Sequence, residues 1–176
     1  QDKISGSFEM LGLSSTSGTS AISGATYTAV PTDTIYNTTS NVSRICENGA
    51  TVGSPSYATA FNINITNNLR ELAAIGSLGA VGVGKGQCTV TGNITTYFGD
   101  LGIYSRAAAL TNTSIAVALQ QSTKGYVFYF PRVQLSAPRP NPGGINQDVT
   151  CEATINASKD TTTSTNFQLD MFYEVA

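Results

Sequence analysis

The stretch GKGQCTVTGNITTYF, residues 84 to 98, is the feature that most constrains this chain, because its side chains alternate with a period of two. Cys88, Val90, Ile94 and Phe98 fall on one face, with Gly92 and Thr96 between them. Gln87, Thr89, Thr91, Asn93, Thr95 and Tyr97 fall on the other. Such alternation belongs to a β-strand with one dry face. Its wet face carries hydrogen-bonding groups, no charge, and none of the usual catalytic residue types.

Charged residues make up 11% of the 176-residue chain and the formal net charge is −2, too little positive charge to hold a nucleic acid by neutralising phosphates. Specific nucleic-acid binding is therefore not expected. No apolar run approaches the roughly 20 residues of a membrane-crossing helix, so no membrane partner is expected either. The length suits one domain with appended segments. Cys46, Cys88 and Cys151 are widely spaced and odd in number, which fits neither a disulfide framework nor a zinc motif. Cys88 and Cys151 fall in phase with apolar neighbours and read as small buried hydrophobes. The Asn-x-Ser/Thr triplets at Asn37, Asn41, Asn64, Asn93, Asn112 and Asn156 read as coincidence in a chain so rich in these residues.

Residues 1–13 include KISGSFEMLGL, which alternates as a strand with Ile4, Phe8 and Met10 on one side. Residues 14–56 are dominated by Ser, Thr, Gly, Asn and Ala and read as an extended linker or arm, with short strands near Tyr27 to Val30 and Val42 to Cys46. Residues 57–176 read as the main domain. AFNINIT alternates Phe61, Ile63 and Ile65 against Asn62, Asn64 and Thr66. The glycine-rich stretch after it reads as a long loop with at most one helical turn at Leu69 to Ala73. After the opening strand, GDLGIYSRAAAL predicts a helix with Asp100 as N-cap and Leu101, Tyr104, Ala108 and Leu110 on its buried face.

Strands are then expected over Ser114 to Gln121, Tyr126 to Leu135, Asp148 to Ala157 and Asn166 to Tyr173, the first two joined as a hairpin by STKG. SAPRPNPGG reads as a loop, because Pro138, Pro140 and Pro142 lack amide donors. The third of these strands should bury Val149, Cys151, Ala153 and Ile155. About six strands and one helix predict a mainly β fold, an antiparallel sandwich or open barrel with one flanking helix.

Catalytic chemistry finds little support. There is no histidine, the commonest general base and metal ligand. GVGKG at 82 to 86 lacks the spacing of a phosphate loop, and Cys88 lacks a histidine partner. Asp148 and Glu152 read as solvated acids on one strand face. The chain reads as a non-enzyme without cofactor or metal.

FNINITNNLRELAAIGSLGAVGVGKGQCTVTGNITTYFGDLGIYSRAAA, followed by YVFYFPRVQLSAP, NQDVTCEATINA and a closing strand, resembles the tail tube proteins (major tail proteins) of long-tailed bacteriophages. The likeness covers roughly 110 residues, and it rests on the order and spacing of the pieces. It implies a β-sandwich with a flanking helix, a structural virion protein whose copies form rings, three or six tube units to a ring, that stack into the tube conducting DNA during genome ejection. The tape measure protein and DNA would occupy the lumen transiently, and assembly would take place in the host cytoplasm. SGSFEMLGL looks like the closing strand of a preceding tube domain.

Two sets of site residues follow as expectations. Leu69, Leu72, Ile75, Leu78, Val81 and Lys85 belong to a loop expected between stacked rings, where their apolar surface would be covered. Asp148, Glu152, Asp170 and Glu174 are the candidates for a neutral-to-negative lumen wall that does not grip phosphates. A fimbrial or pilus-type sandwich subunit and a capsid-decoration or baseplate protein are the competing readings.

Overall fold

The computed structural model describes residues 2–13, 15–26, 28–30, 32, 34–77 and 79–173. In chain order its elements are β1 (Val42–Glu47), β2 (Ala50–Thr51), β3 (Ala58–Thr66), β4 (Arg70–Leu72), β5 (Gly82–Gly84), β6 (Thr89–Tyr97), α1 (Gly102–Ala108), β7 (Asn112–Gln121), β8 (Lys124–Asn141), β9 (Thr150–Ala157) and β10 (Gln168–Phe172). The fold is mainly β, 45% strand and 4% helix, with antiparallel pairing and, among the described residues, no closed barrel, as in a sandwich.

The alternating stretch becomes β6, a central strand between β3 and β9. Val90, Ile94 and Thr96 on its dry face are buried; Cys88 is half-buried, and Cys151 on β9 is fully buried. Gly92 lies on the same face opposite Ile63 and Ile155. A Cβ there would strike the Asn62 carbonyl, so close approach of β3 requires glycine at this position.

β8 joins the two halves of the sheet. Along one edge it pairs with β7 from Lys124 to Gln134; along the other it pairs with β10 over Gly125 to Tyr129, then with β9 from Val133 to Asn141. The register shifts between Thr113 and Ile115, opposite Phe130 and Val133 of β8, marking a bulge at the change of partner. The halves turn their apolar faces toward one core, in which Ile115, Val117 and Phe130 meet Val133, Leu135, Ile155, Val90 and Ile94. Phe167 plugs one end, its ring centroid 5.3 Å from that of Phe130, and Asn166 Nδ2 donates to the Cys88 carbonyl at 3.1 Å.

Several sequence expectations are corrected. Residues 3–13 form no strand beyond the single bridge Lys3↔Asn37, because the alternating segment meets no sheet edge in its own chain. Tyr27 lies outside the described residues, and 28–30 are not a strand, whereas the expected strand at Val42 forms as β1. The glycine-rich segment contains a hairpin, β4 with β5, in which Gly82 and Gly84 admit the Leu72 side chain against the opposing backbone. The helix starts one residue later than expected. Leu101 is at its N-cap, Asp100 Oδ1 accepts the Gly102 N–H at 2.7 Å, and the buried face is Ile103 and Ala107, leaving Leu101 and Leu110 exposed.

The proline segment is also a strand. β8 continues through it after a register shift between Ser136 and Arg139, and Pro140 lies opposite Cys151. Among the described residues no other strand covers that part of β8, so a proline whose missing N–H faces the open edge costs no ladder bond. Val149 precedes β9 and is exposed, and β10 buries neither face.

Candidate functional site

The wet face of β6 is the centre of a larger surface. Directly opposed residues of antiparallel strands share a face, so the register defines three rows across β3, β6, β9 and β8. One is Asn62, Asn93, Thr154 and Ser136; the next is Asn64, Thr91, Asn156 and Gln134; the third is Ala60, Thr95, Glu152 and Arg139. Hydrogen bonds tie the rows. Asn156 Nδ2 donates to Ser136 Oγ at 3.1 Å, and the Asn93 N–H donates to Asn62 Oδ1 at 2.9 Å.

Both edges of this four-stranded surface are open among the described residues. β3 pairs only with β6, and β8 beyond Gln134 pairs only with β9. Cys151 lies on the core side, where burial pushes its thiol pKa up, partly offset by a backbone hydrogen bond from Arg139.

Beyond the β3–β6 ladder the chain projects as the β4–β5 hairpin, which forms a sheet of its own. Asn68 Nδ2 donates to the Gln87 carbonyl at 2.7 Å and fixes the base. Leu69, Leu72, Val81 and Lys85 are exposed on it, and Ile75 at the tip stands fully in solvent. Leu78 lies outside the described residues.

The four expected acids do not form one group. Glu152 is exposed on the four-stranded face, and Asp148 is exposed in the segment before β9. Asp170 is half-buried opposite Val127, on the outer face of the other half of the sheet, in the row that continues to Ala118 and Arg44. Glu174 lies outside the described residues.

Two groups escaped sequence reasoning. Arg139 was hidden in the segment read as a loop, although prolines at every second position are themselves one phase of an edge strand. The second is the buried Glu47 carboxylate, which pairs with Arg106 of α1 and accepts the Thr113 hydroxyl. Nothing in the local pattern of β1 marks Glu47 as inward-facing.

Asp160, in the turn before β10, accepts the Thr162 and Thr163 N–H groups at 3.0 and 2.7 Å. The Thr163 backbone N–H is the main cause that holds its carboxyl below the usual range, with the Arg132 charge contributing in the same direction. Among the described residues no group of three or more His, Cys, Asp or Glu side chains could hold a metal ion. No helix of the described residues is long and apolar enough to cross a membrane.

The family model for phage tail tube proteins matches residues 1–164. The chain belongs to that family. It is a structural component of the virion tail, of a kind that assembles with itself into a tube. The match includes the amino-terminal segment, the projecting hairpin and the sheet strands up to β9, and ends before β10. A comparison with individual curated proteins finds no match.

Proposed function

We propose that this tail tube protein forms closed rings whose stacked lumen conducts DNA during genome ejection, without catalysis, and that the four-stranded face of β3, β6, β9 and β8 is the lumen wall. The observation that carries this reading is the pairing of an almost uncharged wet face with two open strand edges on the same sheet. A head-to-tail contact closes into a ring when its rotation permits, and ring closure covers edges that would otherwise aggregate.

Pro140 gives the contact a direction. It presents a carbonyl and no donor at the open edge of β8, so amides of a neighbour's β3 supply the donors there. The hairpin would sit between stacked rings, where Leu69, Leu72, Ile75 and Val81 lose their exposure to water. The tape measure protein and DNA would be transient occupants of the lumen.

Electron microscopy of the purified protein tests the reading. Rings with a central hole, three or six tube units around, stacking into tubes at high concentration, are the expected result. A species that stays monomeric by sedimentation at high concentration, with no ring in the virion, overturns it.

A further inference from the structure

Among the described residues β10 is held on one edge only and buries no residue of its own; its anchor is Phe167, stacked on Phe128 and Phe130 with ring centroids 6.3 and 5.3 Å away. Near the other end of the chain Ser7-Phe8-Glu9-Met10 reproduces the pattern Asn166-Phe167-Gln168-Leu169. That segment lies in no helix or strand and pairs with no strand among the described residues, and Phe8 and Met10 are each 92% exposed. Two apolar side chains of that size forgo, while they stay in water, the stabilisation that burial would bring. The groove on β8 that takes Phe167 therefore has a second segment of suitable chemistry.

We infer that residues 8–10 of one copy dock along Phe128 to Phe130 of β8 in a second copy, exchanging with the resident β10, with Phe8 in the place of Phe167. Charge agrees with this seating. Glu9 replaces the neutral Gln168 opposite Tyr129, on the outer face that also carries Arg44. The exchange is an edge-strand addition in which β8 supplies the main-chain partners and the Phe128–Phe130 groove supplies specificity. It links two copies through a contact separate from the β3 and β8 edges of the lumen wall. The inference rests on the ring reading only in assuming that copies are held close together.

The test uses full-length chains in which Cys46→Ser and Cys88→Ser remove the half-buried thiols. One chain carries Glu9→Cys and the other Tyr129→Cys, and they are mixed under mild oxidation. A disulfide-linked heterodimer is expected as the main oxidised species, and it should be lost when the first chain also carries Phe8→Ser. A positive control is the single chain with Gln168→Cys and Tyr129→Cys, whose resident β10 should close an intrachain bond. No heterodimer, a heterodimer indifferent to Phe8→Ser, or a chain with Glu9→Cys and Tyr129→Cys that links only within itself overturns the exchange. Microscopy of the same samples separates the two claims. Rings without the crosslink reject the exchange alone, crosslinked dimers without rings count against the ring reading alone, and the absence of both rejects both.

Discussion

Arg139 of β8 and Glu152 of β9 stand directly opposite each other on the face proposed as the lumen wall. They are the only charges in its three rows, and they are of opposite sign. The rows carry one charge of each sign, whereas the lumen candidates named from the sequence, Asp148, Glu152, Asp170 and Glu174, are all acids. If this face lines the lumen as proposed, a passing phosphate would meet a cation already faced by a carboxylate, which would limit the counterion release that makes it stick.

Glu152→Lys breaks that balance and places two cations opposite each other. We expect the folded subunit to lose no more than about 1 kcal/mol, the scale of an exposed cross-strand pair. Genome ejection should slow, most strongly at low salt where screening is weakest. Asp170→Lys is the control, since Asp170 is on the other half of the sheet. Ejection kinetics of virions carrying each change decide the matter. Equal slowing by both, or by neither, would reject this face as the lumen wall.

Glu47 is only 4% exposed, whereas its partner Arg106 is 35% exposed. Removing the cation leaves a buried carboxylate with Thr113 alone. Such a loss costs about 3–5 kcal/mol when both partners are buried, and solvent near Arg106 should bring it toward or below the lower end. Arg106→Ala should therefore destabilise more than Glu47→Gln, which keeps an acceptor for Thr113 and sheds the buried charge. Urea unfolding midpoints of the two variants test the order. The reverse order would mean that the ion pair does not anchor α1.

How much of this could be read beforehand depends on what each feature is made of. The alternation of β6 is a property of consecutive residues and survives folding unchanged, so its dry and wet faces appear as expected. The helix face rotates by one position because Leu101 takes the N-cap and Ile103 is nearer the core. Pro138 and Pro140 argue against a strand only if both its edges are paired, and which edge stays open is decided by β7 ending its pairing at Gln134. The opposition of Arg139 to Glu152 and the pairing of Glu47 with Arg106 are long-range facts of register and packing. No local pattern carries them.

Asp160 gives the fold an acid limb. Its carboxyl is held below the ordinary value of about 3.9 chiefly by the Thr163 N–H. Its stabilising contribution is full above the unfolded value and is lost as pH falls through the lower folded value. Asp160→Asn should lower Tm at neutral pH, with the gap to the parent chain closing as the solution is acidified below about pH 4. A gap that stays constant over that range would show that the turn does not depend on the charge.

Cys151 should be the slow thiol. Burial raises its pKa, and it is packed on the core side of β9 at 3% exposure. The thiolate is the reactive form. Timed alkylation at mildly alkaline pH, read by peptide mass, should label Cys151 last in the folded chain and on a par with the others in denaturant. Early labelling of Cys151 in the folded protein would contradict the burial.

The hairpin offers the clearest test of stacking as distinct from ring closure. β4 and β5 pair only with each other, and their carbonyls and amides bond no third strand among the described residues. Free subunits should therefore exchange the amide hydrogens of 70–84 rapidly, since a two-stranded hairpin is at best marginally stable alone. If neighbouring rings cover Leu72, Ile75 and Val81, protection in assembled tubes should rise there more than anywhere else in the chain. Ile75→Ser and Val81→Ser together should leave single rings intact while shortening the tubes seen by electron microscopy, because the changes lie away from the open edges of β3 and β8. Equal exchange in subunit and tube, or tubes of normal length from the double variant, would remove the hairpin from the stacking interface.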